Sequence, residues 1–368
     1  MFKSRFWRNF DPLLLGVTLL LVITGILILY SITFKAANLT SPVDASNQII
    51  FAAIGLIALV GLASLDYRVW AQYAPVIYVV SLVLLGVVML TKPVLGASRW
   101  INLGFFQFQP SELTKLVIII VLAKFMASHY EEMSRPRFLL WSLGYVLLPI
   151  GLVLAQPDLG TALVLGFIWL AMVLVSRANK WHLAALAAAV LVAVPLIYPH
   201  LAPYQKQRLQ SFANPTADPL STGYNVVQST IAVGSGEWFG RGLAAGSQSQ
   251  LNFLPSQHTD FVFAVLAEKL GFFGSLILLL LFAVLLIRML IIAWRAQDRF
   301  GLFLAVGIAA MFLFHVAINV GMNVGIAPVT GIPLPFISYG GTSLLVGLAA
   351  IGILESIAVR RKKIEFGT

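Results

Sequence analysis

Ten stretches of this chain are long and apolar enough to cross a lipid bilayer, and they constrain the fold more than any motif does. They run at about 12–34, 47–65, 72–91, 112–129, 138–155, 161–178, 182–199, 260–287, 300–325 and 338–358, each near the roughly 17–25 residues a spanning helix needs. Composition agrees. Of 368 residues 60% are apolar and 10% charged, with a mean hydropathy of +0.93, against about 45–50% and about 25% in soluble chains. About 221 apolar side chains cap the spans near about eleven. The expected architecture is an all-α polytopic membrane protein of about ten transmembrane helices, one domain over 1–368, with no internal repeat. A water-soluble enzyme, a nucleic-acid-binding module and a disulfide scaffold are excluded.

The net charge of +10 is read through its distribution, because Lys and Arg concentrate on the cytoplasmic side of membrane proteins. An even number of spans puts both termini on one side. With that side cytoplasmic, the inner set is Lys3, Arg5, Arg8, Arg68, Arg135, Arg137, Arg177, Lys180, Arg288, Arg295, Arg299 and Arg360 to Lys363, and the outer set only Lys35, Lys92, Arg99, Lys206, Arg208 and Arg241. The basic start followed by an apolar run looks like a signal sequence, but no small-residue cleavage site follows, so a retained first helix is expected. There are no cysteines, which removes disulfides and thiol chemistry.

Most connections are short, but 200–259 is a large polar loop, extracytoplasmic in this topology. Inside it Tyr224 to Val233 is apolar yet too short to cross, which predicts a re-entrant or interfacial helix. The loop from Thr91 to Ser111 carries Arg99, Trp100 and three phenylalanines, Phe105, Phe106 and Phe108, expected as an aromatic belt.

Charges near hydrocarbon cost roughly 2.5–3.5 kcal/mol each and are normally paired or functional. Ten of the fourteen acidic residues fall in loops or the cytoplasmic strip; Glu112, Asp158, Asp260 and Glu268 fall at outer helix ends, beside Lys115 and Lys269. Glu112 and Lys115 stand three apart and can neutralise each other. Asp260 has no such neighbour at helical spacing. Helix starts at Gln109-Pro110-Ser111, Gln156-Pro157-Asp158, His258-Thr259-Asp260 and Pro335 to Ser338 all face outward; such N-termini favour anions. With Arg99, Lys115, Arg208 and Arg241 they mark the outer face as a site for phosphate or pyrophosphate on a lipid. The five histidines lack metal-ligand spacing, and Gly234 to Gly242 lacks the features of a nucleotide loop. His315, Asn319 and Asn323, at i, i+4 and i+8, form a stripe that either glues helices or lines a cavity.

At these residues the chain resembles the SEDS family of membrane proteins (RodA, FtsW, SpoVE) over nearly its whole length. The likeness is carried by Gly96 to Leu103 leading to Gln109-Pro110-Ser111-Glu112 and Lys115; by Gln156 to Thr161; by Arg208, Asn214-Pro215 and Asp218-Pro219; by Gly223 to Asn225, Gln228-Ser229 and Gly234 to Gly236; by His258 to Phe261 and Glu268; and by Gly331 to Gly341. Gln248 to Pro255 is similar to the RodA branch, whereas Glu237 and Trp238 resemble the division branch, and Lys269 stands where acidic residues are common.

The resemblance implies a peptidoglycan glycosyltransferase of the bacterial cytoplasmic membrane. It would polymerise lipid II, with undecaprenyl-pyrophosphate-linked glycan, alongside a class B penicillin-binding protein and the elongation machinery, and without nucleic acid. Asp260 matches the family's essential aspartate. Substrate contacts are expected from Arg99, Trp100, Glu112, Lys115, Asp158, Arg208, Gln228, Ser229, His258, Thr259, Glu268 and Ser338. A divalent cation, Mg or Mn, is a candidate cofactor for the leaving pyrophosphate. A flippase or proton-coupled lipid transporter is the rival reading, since fold alone does not decide function.

Overall fold

In the computed structural model the described residues are 10–33, 45–91, 99–102, 104, 106–200, 203–214, 222–243, 246, 249, 253, 254 and 256–360. Twelve α-helices are described: α1 (Pro12–Thr33), α2 (Ala45–Ser64), α3 (Arg68–Val88), α4 (Pro110–Ser128), α5 (Pro136–Ala155), α6 (Leu159–Val175), α7 (Lys180–Ile197), α8 (Pro203–Ala213), α9 (Thr222–Ser235), α10 (Val262–Trp294), α11 (Arg299–Asn323) and α12 (Gly341–Val359). A short antiparallel hairpin, Ile101–Asn102 against Gln107–Phe108, precedes α4. The markers Lys3, Arg5, Arg8, Lys35, Asp44, Lys92, Asp218, Arg361 to Lys363 and Glu365 lie outside the described residues. So do residues 96–98, Leu103, Phe105, Pro215, Pro219 and most of the Gln248 to Pro255 stretch.

All ten expected spans are helices. Seven of them, α1, α2, α3, α5, α10, α11 and α12, are long and apolar enough to cross a membrane. Of the others, α4 carries Glu112, Lys115 and Lys124, α6 is apolar but only 17 residues long, and α7 has 18 residues. Two starts fall later than expected. The spans anticipated at 260 and 338 begin at Val262 and Gly341, because 256–261 and 335–337 form turns. The polar helix α8 was not anticipated, since its mostly polar sequence has no apolar face to announce it.

Helix α4 is buried on nearly every side, as is most of α11 and α12, and these form the centre of the bundle. Helices α1, α2, α3 and α5 turn leucine, isoleucine and valine outward, with Ile57 74% and Val76 61% exposed; an apolar outer face suits lipid rather than water. Where α2 crosses α12, a Cβ on Gly352 would lie 2.6 Å from the Leu59 carbonyl oxygen. The absent side chain lets the two backbones touch. Phe106 and Phe108, expected as belt residues, pack edge-on with each other, and Phe106 packs on Phe51 of α2.

Charge orders the two ends of the bundle. At one end Arg288 pairs with Asp11, whose backbone N–H donates to Glu355 (2.9 Å); Arg360 pairs with Asp66 (3.4 Å), Arg68 with Asp298 (2.8 Å), and Glu131 with Arg177 and Arg299 (3.1 Å for the latter). These residues come from the α1 start, the α10 and α12 ends and the turns α2–α3, α4–α5, α6–α7 and α10–α11. The members of the inner set that can be seen paired here therefore do share one end.

Helix α10 is broken at Gly271 (φ 69°, ψ −164°). A break in a helix leaves backbone groups that need partners, and the segment 237–242 supplies them. Arg241 and Gly242 N–H donate to the carbonyls of Glu268 (2.9 Å) and Lys269 (3.0 Å), and Phe272 and Phe273 N–H donate to Glu237 (2.8 Å) and Trp238 (3.1 Å). A Cβ at Gly271 would stand 2.3 Å from Gly240 N in a left-handed conformation, so Gly271→Ala is expected to cost about 1–3 kcal/mol. In detergent-solubilised protein its thermal midpoint should fall well below that of Gly86→Ala, where nothing lies within 4 Å. Equal midpoints would show that the break tolerates a side chain.

Candidate active site

The turn before α10 places Asp260. Thr259 and Asp260 N–H both donate to the Ser256 carbonyl at 3.1 Å, and the Asp260 carbonyl accepts from Asn319 Nδ2 and Asn323 Nδ2, both at 3.0 Å. Asn319 Nδ2 also donates to Ile332 O (2.8 Å), while Asn323 Oδ1 accepts from Ala264 N–H (3.0 Å), one of the otherwise orphan donors at the start of α10. From α9, Ser229 Oγ donates to the Asn323 carbonyl (2.8 Å). The stripe on α11 thus grips the backbone at and just after the aspartate, together with the facing Ile332 carbonyl.

A second segment, 330–339, closes the opposite flank. Ser338 Oγ donates to Thr259 O (2.6 Å) and accepts from Leu334 N–H (2.8 Å), and Tyr339 N–H donates to His258 O (2.8 Å). Gly331 faces the carboxylate: a Cβ there would sit 3.7 Å from Asp260 Oδ2. Burial raises the Asp260 carboxyl above the ordinary carboxylate range; Arg208, a hydrogen bond from Thr259 and Arg99 pull it down, and Asp158 pushes it further up. Arg208 is anchored by Nη1 to Thr330 O (3.1 Å), and Arg99 by Nε to Gln156 O (2.9 Å) and by Nη2 to Pro157 O. Asp158 caps α6, accepting from Thr161 N–H (3.2 Å) and Oγ1 (2.8 Å).

Depth follows from helix geometry. Asn319 lies twenty-one residues beyond Asp298 along α11, or ~32 Å at 1.5 Å per residue. With Asp298 in the ion-pair end, Asp260 is separated from that end by about the thickness of a bilayer's hydrocarbon layer, roughly 30 Å.

The structure gathers Asp260, Arg99, Asp158, Arg208, His258, Thr259, Ser229 and Ser338 around this turn. Trp100 adjoins Arg99, its carbonyl accepting from Thr91 Oγ1 (3.4 Å), and Gln228 is half-buried on α9. Two pairs lie elsewhere. Lys115 Nζ donates to Glu112 Oε1 (2.7 Å) and meets His315 Nε2 (3.1 Å) inside the bundle. Glu268 is buried beside Gly246 and Ser249, accepting from Ser249 N–H (3.0 Å), and Lys269 Nζ reaches the carbonyls of Leu243 (2.8 Å) and Ser31 (3.1 Å). Sequence reasoning noticed Asn319 and Asn323 only as a polar stripe and gave them no link to Asp260; their helical spacing was the available signal. No group of three or more His, Asp or Glu side chains converges among the described residues, and the Asp158 carboxylate is engaged by Thr161. These residues do not make a protein-built cation cage, and the positive charge at the site is that of the arginines.

The family described as cell cycle protein, FTSW_RODA_SPOVE, matches residues 11–363. The chain belongs to the SEDS family. Among relatives of this SEDS protein, peptidoglycan glycosyltransferase MrdB of Escherichia coli K12 is 38% identical over 373 residues, covering 99% of this chain and 98% of MrdB. Stage V sporulation protein E of Bacillus subtilis is 39% identical over 356 residues, covering 95% and 96%. Among solved structures, a chain from work on structural coordination of polymerization and crosslinking by a peptidoglycan synthase complex superposes with a TM-score of 0.79 at 34% identity, covering 95% of this chain and 97% of that one. The rod shape determining protein RodA of Thermus thermophilus gives 0.69 at 29%, covering 96% and 98%.

Removing the Asn323 amide leaves the Ala264 N–H without its partner and takes one donor from Asp260 O. Asn323→Ala is expected to lower stability by about 1–3 kcal/mol. Asn323→Asp keeps the acceptor for Ala264 but turns a buried carboxylate oxygen toward the carbonyls of Asp260 and Asn319, so it should lose at least as much, a ranking that thermal unfolding in detergent checks.

Proposed function

We propose that this SEDS protein is a peptidoglycan glycosyltransferase that polymerises lipid II into glycan strands for cell elongation and shape. The observation that carries the mechanism is a half-buried carboxylate, Asp260, fixed by its own backbone at the membrane boundary with two anchored arginines near it. The name of MrdB, 38% identical over 99% of this chain, and the likeness to RodA support the substrate class.

The sugar donor is the growing glycan on undecaprenyl pyrophosphate, and the acceptor is lipid II. Asp260 takes the proton of the acceptor GlcNAc 4-hydroxyl as that oxygen bonds to the anomeric carbon. The bond from that carbon to the pyrophosphate oxygen breaks, and undecaprenyl pyrophosphate leaves. One displacement by one activated oxygen inverts the anomeric centre. Arg208 and Arg99 balance the charge gathering on the leaving group; a divalent cation, Mg or Mn, carried in by the pyrophosphate would supply further charge of the same kind. A polyprenyl pyrophosphate lies with its headgroup at the hydrocarbon boundary, the depth at which Asp260 stands.

The site end is assigned to the outer face of the bacterial cytoplasmic membrane, because the end opposite carries the greater share of Lys and Arg. The polymerisation and crosslinking named for the related synthase complex support a class B penicillin-binding protein as partner. Because the chain has no cysteine, single substitutions test the orientation: Glu237→Cys should react with a membrane-impermeant maleimide on spheroplasts and Arg177→Cys should not. The reverse pattern would invert the topology.

Purified full-length protein, assayed with lipid II and its crosslinking partner, should lose about 10²–10⁴-fold of its polymerisation in Asp260→Ala and Asp260→Asn. A protonated carboxyl cannot accept the hydroxyl proton, so the rate should fall as pH drops through the raised Asp260 value, above the ordinary carboxylate value of about 4. That acidic limb should be missing from the residual rate of Asp260→Asn. Undiminished polymer from Asp260→Ala would refute the base assignment; lipid II flipping in liposomes without polymer would favour transport.

A further inference from the structure

We propose that His315 is a positioning residue, locked in its Nδ1–H tautomer by the Glu112–Lys115 ion pair so that it grips the Pro333 carbonyl and fixes the wall beside Asp260. His315, Asn319 and Asn323 occupy one face of α11 and act on successive points of two facing segments. Their partners are Pro333 O (3.1 Å), then Ile332 O and Asp260 O, then Asp260 O and Ala264 N–H. The lowest rung differs from the other two. An Asn amide has a separate donor and acceptor, whereas a neutral imidazole donates from whichever nitrogen carries the proton.

The neighbours decide which nitrogen that is. A carbonyl only accepts, so the contact of Nδ1 with Pro333 O requires the proton on Nδ1. The ammonium of Lys115, ion-paired with Glu112 at 2.7 Å, only donates, so Nε2 at 3.1 Å must be bare. The pair on α4 thereby sets the tautomer on α11, as a second partner does for catalytic and metal-bound imidazoles. Pro333 is two residues from Gly331, whose Cα side faces Asp260 Oδ2, and the intervening Ile332 carbonyl is held by Asn319.

Lys115 is poorly placed to meet substrate. It is 2% exposed, and the cavity lined by Glu112, Lys115, His315 and Ser343 has room for about one water-sized occupant, too little for a pyrophosphate. The ion pair therefore serves the histidine, and through it the segment at Asp260. Its desolvation would otherwise bring no evident return.

Two arms test this on the full-length protein. In nanodiscs, ¹⁵N-histidine spectra of the wild type should contain an imidazole with protonated Nδ1 and bare Nε2 that disappears in His315→Asn. A doubly protonated ring, or the Nε2–H tautomer, overturns the proposal. The kinetic arm rests on the polymerase reading. His315→Asn keeps an amide donor near the Nδ1 position and should retain kcat, whereas His315→Gln places its amide near Nε2 and should lower kcat about tenfold with KM for lipid II and the thermal midpoint unchanged. Glu112→Gln combined with Lys115→Met should lower kcat beside His315 and cost nothing further in the His315→Asn background. Equal losses in His315→Asn and His315→Gln, or a raised KM from the α4 pair in both backgrounds, overturn it. Wild type that makes no polymer counts against the polymerase reading and leaves this proposal to be decided by the spectra.

Discussion

A backbone carbonyl or N–H group at membrane depth has no water to turn to, and the architecture of this chain follows from finding it a protein partner. Asp260 sits in a turn between a loop and α10, where regular helical pairing has not begun. Two asparagine amides on α11 take its carbonyl, one of them also caps α10, and Ser338 takes the carbonyl of Thr259. The break at Gly271 is solved the same way, with 237–242 laid against the open rungs of α10. At these two places irregular backbone is satisfied by α11, the 330–339 segment or the outer loop. The aspartate inherits a fixed position from that arrangement.

Scarcity of charge divides the remaining work. Among the described residues five of the seven ion pairs gather at one end and tie turns together, from Asp11 with Arg288 to Arg360 with Asp66. Away from that end the buried charges have separate duties: Lys269 ties α1 to the outer loop, Glu268 holds Ser249, and Glu112 with Lys115 serves His315. Asp260 combines partial burial, nearby arginines and a depth suited to a lipid pyrophosphate.

The spans and their alternation were legible in the sequence because apolar length and Lys/Arg bias are one-dimensional signals, and all ten helices appear near where those signals placed them, with their ends shifted by a few residues. Asp260 stood out for a related reason, as a charge with no local neutraliser. Its surroundings were less legible. Arg99 is separated from it by 161 positions and Arg208 by 52, and no periodicity reports such distances. Glu112 and Glu268 looked alike in the sequence, as acids near outer helix ends, yet one is ion-paired inside the bundle and the other is buried beside Gly246 and Ser249. The start of α10 was misplaced by two residues because a turn held by Ser256 O replaces the first helical turn, and apolarity alone does not register that.

The central claim is that the Asp260 carboxylate meets the attacking hydroxyl at the hydrocarbon boundary. A structure of the full-length protein with lipid II and a non-transferable analogue of the pyrophosphate-linked glycan tests it most directly. The account predicts a carboxylate oxygen of Asp260 within about 3.2 Å of the acceptor 4-hydroxyl, with the donor pyrophosphate against Arg208 and Arg99. A hydroxyl held away from Asp260, or a pyrophosphate bound at Glu112 and Lys115, would contradict it.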